Sequence, residues 1–273
     1  MKTNNADMDL QSICLQTCNI AKSAGEFIRG EVPKLKAADI RRKGLHDFVT
    51  YVDTEAEKRI VKDLQSLLPG AGFIAEENSI EKKGDEYCWV VDPLDGTTNF
   101  IHGLPCFSVS IALMKHQKVV MGVVYEINHD ECFYAWEGGS AWMNGHPIRV
   151  SGAPSLADSL LATGFPYYDY SLMKPYMELF TWCLENTHGV RRMGSAAVDL
   201  AYVACGRFEG FFEYSLSPWD VAAGSLIVKE AGGRVTDFSG NNNYVFGREI
   251  LAANQEIFDE LMQKVEKVFT KNE

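Results

Sequence analysis

Apolar positions near the start of the chain recur at helical spacing. Leu10, Ile13, Cys14, Thr17, Cys18, Ala21, Ala24, Gly25 and Ile28 share one face and predict an amphipathic opening helix. A basic loop, Arg41-Arg42-Lys43-Gly44, leads to a second helix expected to start at Asp53-Thr54. There Thr54 and Glu57 have capping-box spacing, Asp53 is a candidate N-cap, and Pro69-Gly70 is the stop. The pattern then becomes strand-like. Residues 72–75 predict a short strand ending in Glu76-Glu77-Asn78, and 87–91 a buried strand closed by Asp92-Pro93. Runs at 107–114, 118–126 and 131–136, joined by short polar turns, predict an antiparallel meander, and Gly138-Gly139 a turn.

Beyond Ser151, short strands at 159–163, 189–192, 209–213, 234–236 and 250–253 alternate with helical patterns at 170–185, 196–205, 218–231 and 255–269. That alternation implies stacked helix and sheet layers. The expected organisation is an N-terminal α+β subdomain over 1–150 and a C-terminal α/β subdomain over 151–273.

Hydrophobic residues make up 46% of the 273, enough for a substantial core. The net charge of −11 argues against nucleic acid or an anionic membrane as partner. It leaves room for a phosphorylated small molecule, because bound cations reverse the local sign. Seven cysteines without a CxxC pair read as reduced thiols. The first ten residues lack the pattern of a signal peptide, and no apolar run approaches the ~20 residues of a membrane span. A cytoplasmic protein is expected.

The chemistry concentrates in Asp92-Pro93-Leu94-Asp95-Gly96-Thr97-Thr98-Asn99-Phe100. Two aspartates three apart end a buried strand, where layered sheets bind ligands. Gly96 permits a special backbone angle, and Thr97-Thr98 can open a short helix whose N–H groups suit phosphate. On its own the run also reads as an Asx turn. Glu76-Glu77 puts further carboxylates at the preceding strand end, and hard oxygens of this kind suit magnesium. Ser217-Pro218-Trp219-Asp220 is a helix start with Ser217 at N-cap, Pro218 at N1 and Asp220 at N3. Capping explains Asp220 locally without excluding metal ligation.

Taken together these pieces resemble the inositol monophosphatase family of magnesium-dependent, lithium-sensitive phosphatases. The matching residues are Glu76-Glu77, Asp92 to Phe100, Gly194-Ser195-Ala196-Ala197, Trp219-Asp220 with Ala222-Ala223-Gly224, and Glu230-Ala231-Gly232-Gly233, in the family's order. The resemblance implies a layered αβαβα fold with an antiparallel N-terminal sheet and a mixed C-terminal sheet. It implies up to three Mg2+ ions. Glu76, Asp92 and the Leu94 carbonyl would hold the first; Asp92, Asp95 and Asp220 the second; Glu76 would also reach the third. Asp53 would pair with Thr97 to orient the attacking water, and Glu76 belongs to the same catalytic set. The spacing from Lys43 to Asp47 is one residue shorter than the family's.

By the same resemblance Glu213 would grip substrate hydroxyl groups, with Asp95, Gly96, Thr97, Asp220 and the backbone at Ala196 completing the substrate site. Arg191 and Arg192 are expected as structural or interface charges. Phe165-Pro166-Tyr167-Tyr168 is a candidate for an entrance or an interface. The six histidines form no metal pattern. The expected activity is hydrolysis of inositol monophosphate, a small phosphate monoester, by direct attack of water, in a homodimer. Fructose 1,6-bisphosphate, a nucleotide 3′-phosphate or histidinol phosphate are alternative substrates. The absence of an obvious basic cluster near Glu213 weighs against a second phosphate. A non-catalytic metal-stabilised binding protein is the remaining alternative.

Overall fold

The opening pattern folds as helix α1 (Leu10–Glu31), capped by Asp9, whose carboxylate accepts from Ser12 N at 3.0 Å. The computed structural model describes residues 8–42, 48–77, 84 and 86–269. Lys43, Asp47 and Asn78 lie outside them. The basic loop is in part a strand: β1 (Arg41–Arg42) pairs antiparallel with β2 (Phe48–Val49).

Helix α2 (Tyr51–Leu67) starts earlier than expected. Its N-cap is Thr50, whose hydroxyl accepts from Val52 N at 3.0 Å, while Asp53 accepts from Thr50 N at 2.8 Å. Thr50 and Asp53 repeat the capping-box spacing one turn before Thr54 and Glu57. The earlier start also turns Val52 into the core. Asp53 is therefore an N3 residue, not an N-cap. Glu57 points inward and accepts from Glu77 N at 2.7 Å.

The large sheet has the order β3 (Gly72–Ala75), β4 (Tyr87–Asp95), β5 (Ser108–Lys115), β6 (Lys118–Glu126), β7 (Glu131–Trp136), β8 (Ala141–Met143), β9 (His146–Ile148). The meander is antiparallel as its turns predict. The first two strands are parallel, which makes this sheet mixed. The last two strands are too short for a pattern to have marked them. The small sheet has the order β11 (Gly189–Arg191), β10 (Leu160–Thr163), β12 (Gly210–Tyr214), β14 (Glu249–Ala253), β13 (Arg234–Thr236), with β10 parallel to both neighbours and β14 antiparallel to both of its own.

Five layers result. Helices α1 and α2 cover one face of the large sheet. Helices α5 (Ala196–Ala204) and α6 (Pro218–Glu230) lie between the two sheets. Helices α4 (Met173–Asn186) and α7 (Phe258–Phe269) cover the outer face of the small sheet. The inner helices are apolar nearly all round, as burial on both sides requires. Gly122 lets β6 approach α6: a Cβ there would meet Ala223 O at 2.6 Å. Among the described residues no helix is long and apolar enough to cross a membrane.

Candidate metal and phosphate site

Parallel pairing of β3 and β4 aligns Ala75 with Val91, so Glu76 and Asp92 follow at the same end of the strand pair. Glu76 N donates to Val91 O at 3.2 Å. Beyond Asp92 the register of β4 against β5 breaks, and Leu94 N donates to Asp92 Oδ1 at 2.9 Å. The bulge takes up Pro93 and Leu94, and pairing resumes at Asp95 opposite Ser108. Gly96 follows at φ 95°, where a Cβ would lie 2.9 Å from Cys106 O. It caps the short helix α3 (Thr97–Ile101).

Thr97 Oγ1 lies 3.0 Å from Asp53 Oδ1 and 2.9 Å from Leu94 O. The other oxygen of Asp53 accepts from Thr50 N and from Thr50 Oγ1 at 2.7 Å. Asp95 Oδ2 accepts from Ser195 Oγ at 2.6 Å and from Ala197 N at 2.8 Å, which ties β4 to the start of α5. Asp220, at N3 of α6, accepts from Ser217 N at 2.7 Å, and Trp219 O accepts from Ser110 Oγ at 3.0 Å.

These elements surround a cavity of about 400 Å³. Its lining includes Glu76, Asp92, Leu94, Asp95, Gly96, Thr97, Ala196, Glu213 and Asp220; Asp53 stands behind Thr97. Carboxylate oxygens of Asp92, Asp95 and Asp220 lie within 4.8 Å of one another.

The electrostatics follow from crowding. Burial, then the charges of Glu76, Asp95 and Asp220, hold Asp92 well above the usual carboxylate range. Burial pushes Asp95 up to about 6, against the hydrogen bonds from Ser195 and Ala197. Burial and the Asp95 charge push Asp220 up to about 7, against the bond from Ser217. Glu213 is raised by burial and by Asp220, less the pull of Arg192. Buried carboxylates that resist ionising together form a site where a hard cation removes the repulsion, so the donor set fits magnesium.

The structure separates the two arginines. Arg191 is exposed, whereas Arg192 is half-buried and borders the cavity, with its guanidinium 5.7 Å from the ring centres of Phe165 and Tyr167. Arg192 thus packs against the aromatic run and borders the cavity at once. Arg248 also lines the wall, so basic groups do stand near Glu213, brought there from distant parts of the sequence. Tyr167 and Tyr168 line the cavity, placing half of the aromatic run at its mouth. Asp199 was not singled out from sequence, yet it is the one charged residue in the otherwise apolar α5. That isolation was the available signal.

The profile of the inositol monophosphatase family matches residues 9–269. Over 251 residues the chain is 43% identical to a Pseudomonas aeruginosa protein named Nus factor SuhB, covering 90% of this chain and 93% of that one. Over 248 residues it is 39% identical to an inositol-1-monophosphatase of Mesorhizobium japonicum, covering 90% and 93%. The solved structure of a Thermotoga maritima IMPase superposes with a TM-score of 0.85 at 35% identity, covering 97% of this chain and 99% of that one.

Proposed function

The chain belongs to the inositol monophosphatase family, and on that premise we propose that it is a magnesium-dependent phosphatase hydrolysing inositol monophosphate to inositol and phosphate. The observation that carries the reading is the convergence of Asp92, Asp95 and Asp220, with oxygens within 4.8 Å of one another. They share their cavity with Glu76, Thr97 and Glu213.

Glu76, Asp92 and the Leu94 carbonyl are the ligands we assign to one ion, and Asp92, Asp95 and Asp220 to a second, with Glu76 reaching a third. The Leu94 carbonyl faces Thr97 with one lone pair and keeps another for a cation. Bound magnesium would neutralise phosphate oxygens, lower the pKa of a water and stabilise the leaving alkoxide.

The protein's own groups do the positioning. Thr50 holds one oxygen of Asp53, which leaves the other for Thr97. With its single proton directed to an acceptor, the Thr97 hydroxyl offers its lone pairs to a water proton and so aims the water's oxygen at phosphorus. Backbone N–H groups at Gly96 and Thr97 receive the phosphate. Glu213, Asp95, Asp220 and the backbone at Ala196 take the hydroxyl groups of the polyol. Water displaces the alkoxide in line; among the described residues no cysteine or histidine lines the cavity.

Outside the four cage carboxylates the lining sets Asp199 and Glu213 against Arg192 and Arg248, so charge there is balanced, and the preference for inositol phosphate over fructose 1,6-bisphosphate and nucleotide esters rests on Glu213.

A second reading rests on the relatives named Nus factor SuhB, one of them 43% identical: a non-catalytic factor role carried by the same fold. With a net charge of −11 such a role would run through protein contacts rather than nucleic acid. We place the protein in the cytoplasm, as a homodimer.

The test is phosphate release from inositol 1-phosphate, fructose 1,6-bisphosphate, adenosine 3′,5′-bisphosphate and histidinol phosphate, with and without magnesium. Magnesium-dependent preference for inositol phosphate, abolished in Asp92→Asn, is expected. No release from any ester would refute the phosphatase and leave the factor role.

A further inference from the structure

Helix α5 contributes eight apolar or aromatic residues and Asp199. Asp199 is 1% exposed, and its Oδ1 has no hydrogen-bond partner in the protein. Only four side-chain polar atoms among the described residues share that condition, and a second is Arg192 Nε. The other two, on Trp89 and Tyr214, belong to residues outside the cavity lining, while Asp199 and Arg192 both border it. A buried polar atom without a partner costs stability, so a protein that keeps two of them beside one cavity has a use for them there.

The two are complementary. Asp199 supplies an acceptor and Arg192 Nε a donor. The guanidinium is fixed in place: it donates to Tyr167 OH and stands 5.7 Å from the ring centres of Phe165 and Tyr167. Gly194 makes room for it, since a Cβ there would fall 2.8 Å from Arg192 Nη1. Arg192 also acts on the charges of Asp95, Asp199 and Glu213 together, and Asp199 feels both Glu213 and Asp95. Arg192 therefore stands among the carboxyl groups of Asp95, Asp199 and Glu213.

We propose that Asp199 and Arg192 form a polar subsite that grips hydroxyl groups on the unphosphorylated part of the substrate and sets selectivity for a polyol ester over a plain phosphate ester. The inference rests on the phosphatase reading and assigns it two specificity residues. A sugar-like hydroxyl both donates and accepts, so one hydroxyl, or a vicinal pair, satisfies an acceptor and a donor at once. A second phosphate, which offers acceptors and no donor, satisfies only the arginine and leaves Asp199 unpaired. An apolar leaving group satisfies neither.

Two readouts test the subsite in the full chain. In the first, kcat/KM is measured for inositol 1-phosphate and for 4-nitrophenyl phosphate in the wild type, Asp199→Asn and Arg192→Gln. The ratio of the two values is expected to fall about tenfold in each variant, the effect of losing one hydrogen bond to a charged group. In the second, tryptophan fluorescence, to which the cavity residue Trp219 contributes, is titrated with myo-inositol in the presence of magnesium and inorganic phosphate. The half-saturating concentration is expected to rise in both variants.

Should Asp199→Asn fail to fold, Arg192→Gln reads the same ratio. An unchanged ratio with unchanged half-saturation overturns the subsite while leaving the phosphatase standing. A wild type that cleaves neither ester refutes the phosphatase instead, and the inositol titration then decides the subsite alone: variants that bind as the wild type does, or a wild type that does not respond, overturn it.

Discussion

Thr97 Oγ1 lies 3.0 Å from Asp53 Oδ1, although 44 residues separate them and one begins α3 while the other stands in the first turn of α2. The bond makes a carboxylate on a different layer responsible for the hydrogen-bonding state of the hydroxyl that faces the cavity. Thr97→Val and Asp53→Asn should each lower kcat about 100-fold, the low end for loss of a proton-positioning group, with KM little changed. Because the two act as a unit, the double variant should lose scarcely more than either single one. Steady-state kinetics on all three proteins checks this; additive losses would show that the residues act independently.

Asp92 is the buried centre of the cage and feels Glu76, Asp95 and Asp220 at once. Asp92→Asn removes one negative charge and keeps the shape. Turnover should fall at least about 100-fold, as expected when interactions made in the transition state are lost. The rise in melting temperature on adding magnesium to the wild type should vanish as well. Differential scanning fluorimetry with and without magnesium reads the second effect independently of catalysis.

Protons and cations compete for this cage, and the sign of the pH effect follows. The values of about 6 for Asp95 and about 7 for Asp220 lie above the ~3.9 of a free aspartate. Between those limits the folded chain holds protons that the unfolded chain releases. The stability contributed by these groups is therefore present at low pH and lost as pH rises through their folded values. In chelator, raising the pH from about 5 to about 8 should lower the melting temperature of the wild type more than that of Asp220→Asn. Magnesium should stabilise the wild type more at the higher pH. Melting curves across pH, with magnesium or chelator, decide both points.

The carboxylate of Glu213 fills the space that Gly164 leaves open. A Cβ on residue 164 would lie 2.1 Å from Cδ and from both carboxylate oxygens of Glu213. Gly164→Ala should displace that carboxylate, raising KM for inositol 1-phosphate about tenfold through one lost charged hydrogen bond. The effect on 4-nitrophenyl phosphate should be smaller, and an equal effect on both substrates would remove Glu213 from the polyol site.

Much of this was legible in the chain. The apolar stripe of α1 is buried from Cys14 to Ile28 at the positions its spacing marks, with Leu10 and Ile13 partly buried, and the strands β6 and β7 span the runs read for them. The start of α6 is set by Ser217, Pro218 and Asp220, whose capping chemistry is local and hence readable. The start of α2 was misplaced because two successive capping-box spacings compete, and burial of Val52 decides between them. Arg192 and Arg248 could not be joined to Glu213 by any linear pattern: they come from the approach to α5 and from the entry to β14, and only the stacking of layers brings them to one wall. The bond from Ser195 to Asp95 is of the same kind, a contact made by tertiary packing between two motifs that were each visible alone.

Gly122→Ala tests that packing directly. The added methyl would press on Ala223 O at 2.6 Å, and the overpacking should cost about 1–3 kcal/mol. Helix α6 carries Asp220, so magnesium affinity should weaken together with stability. Chemical denaturation and a magnesium titration measure the two; a loss of stability with unaltered affinity would mean that α6 yields without moving its first turn.

The position of Asp220 on α6, between the two sheets, also orders events during synthesis. Glu76, Asp92 and Asp95 leave the ribosome early, on strands that can pair with their neighbours at once. Asp220 arrives only after β10, α5 and β12 have been made. A nascent chain therefore carries the ligands proposed for the first ion before Asp220 can complete the three-aspartate cluster. Closure of that cluster is the last step in building the site, set by chain order alone.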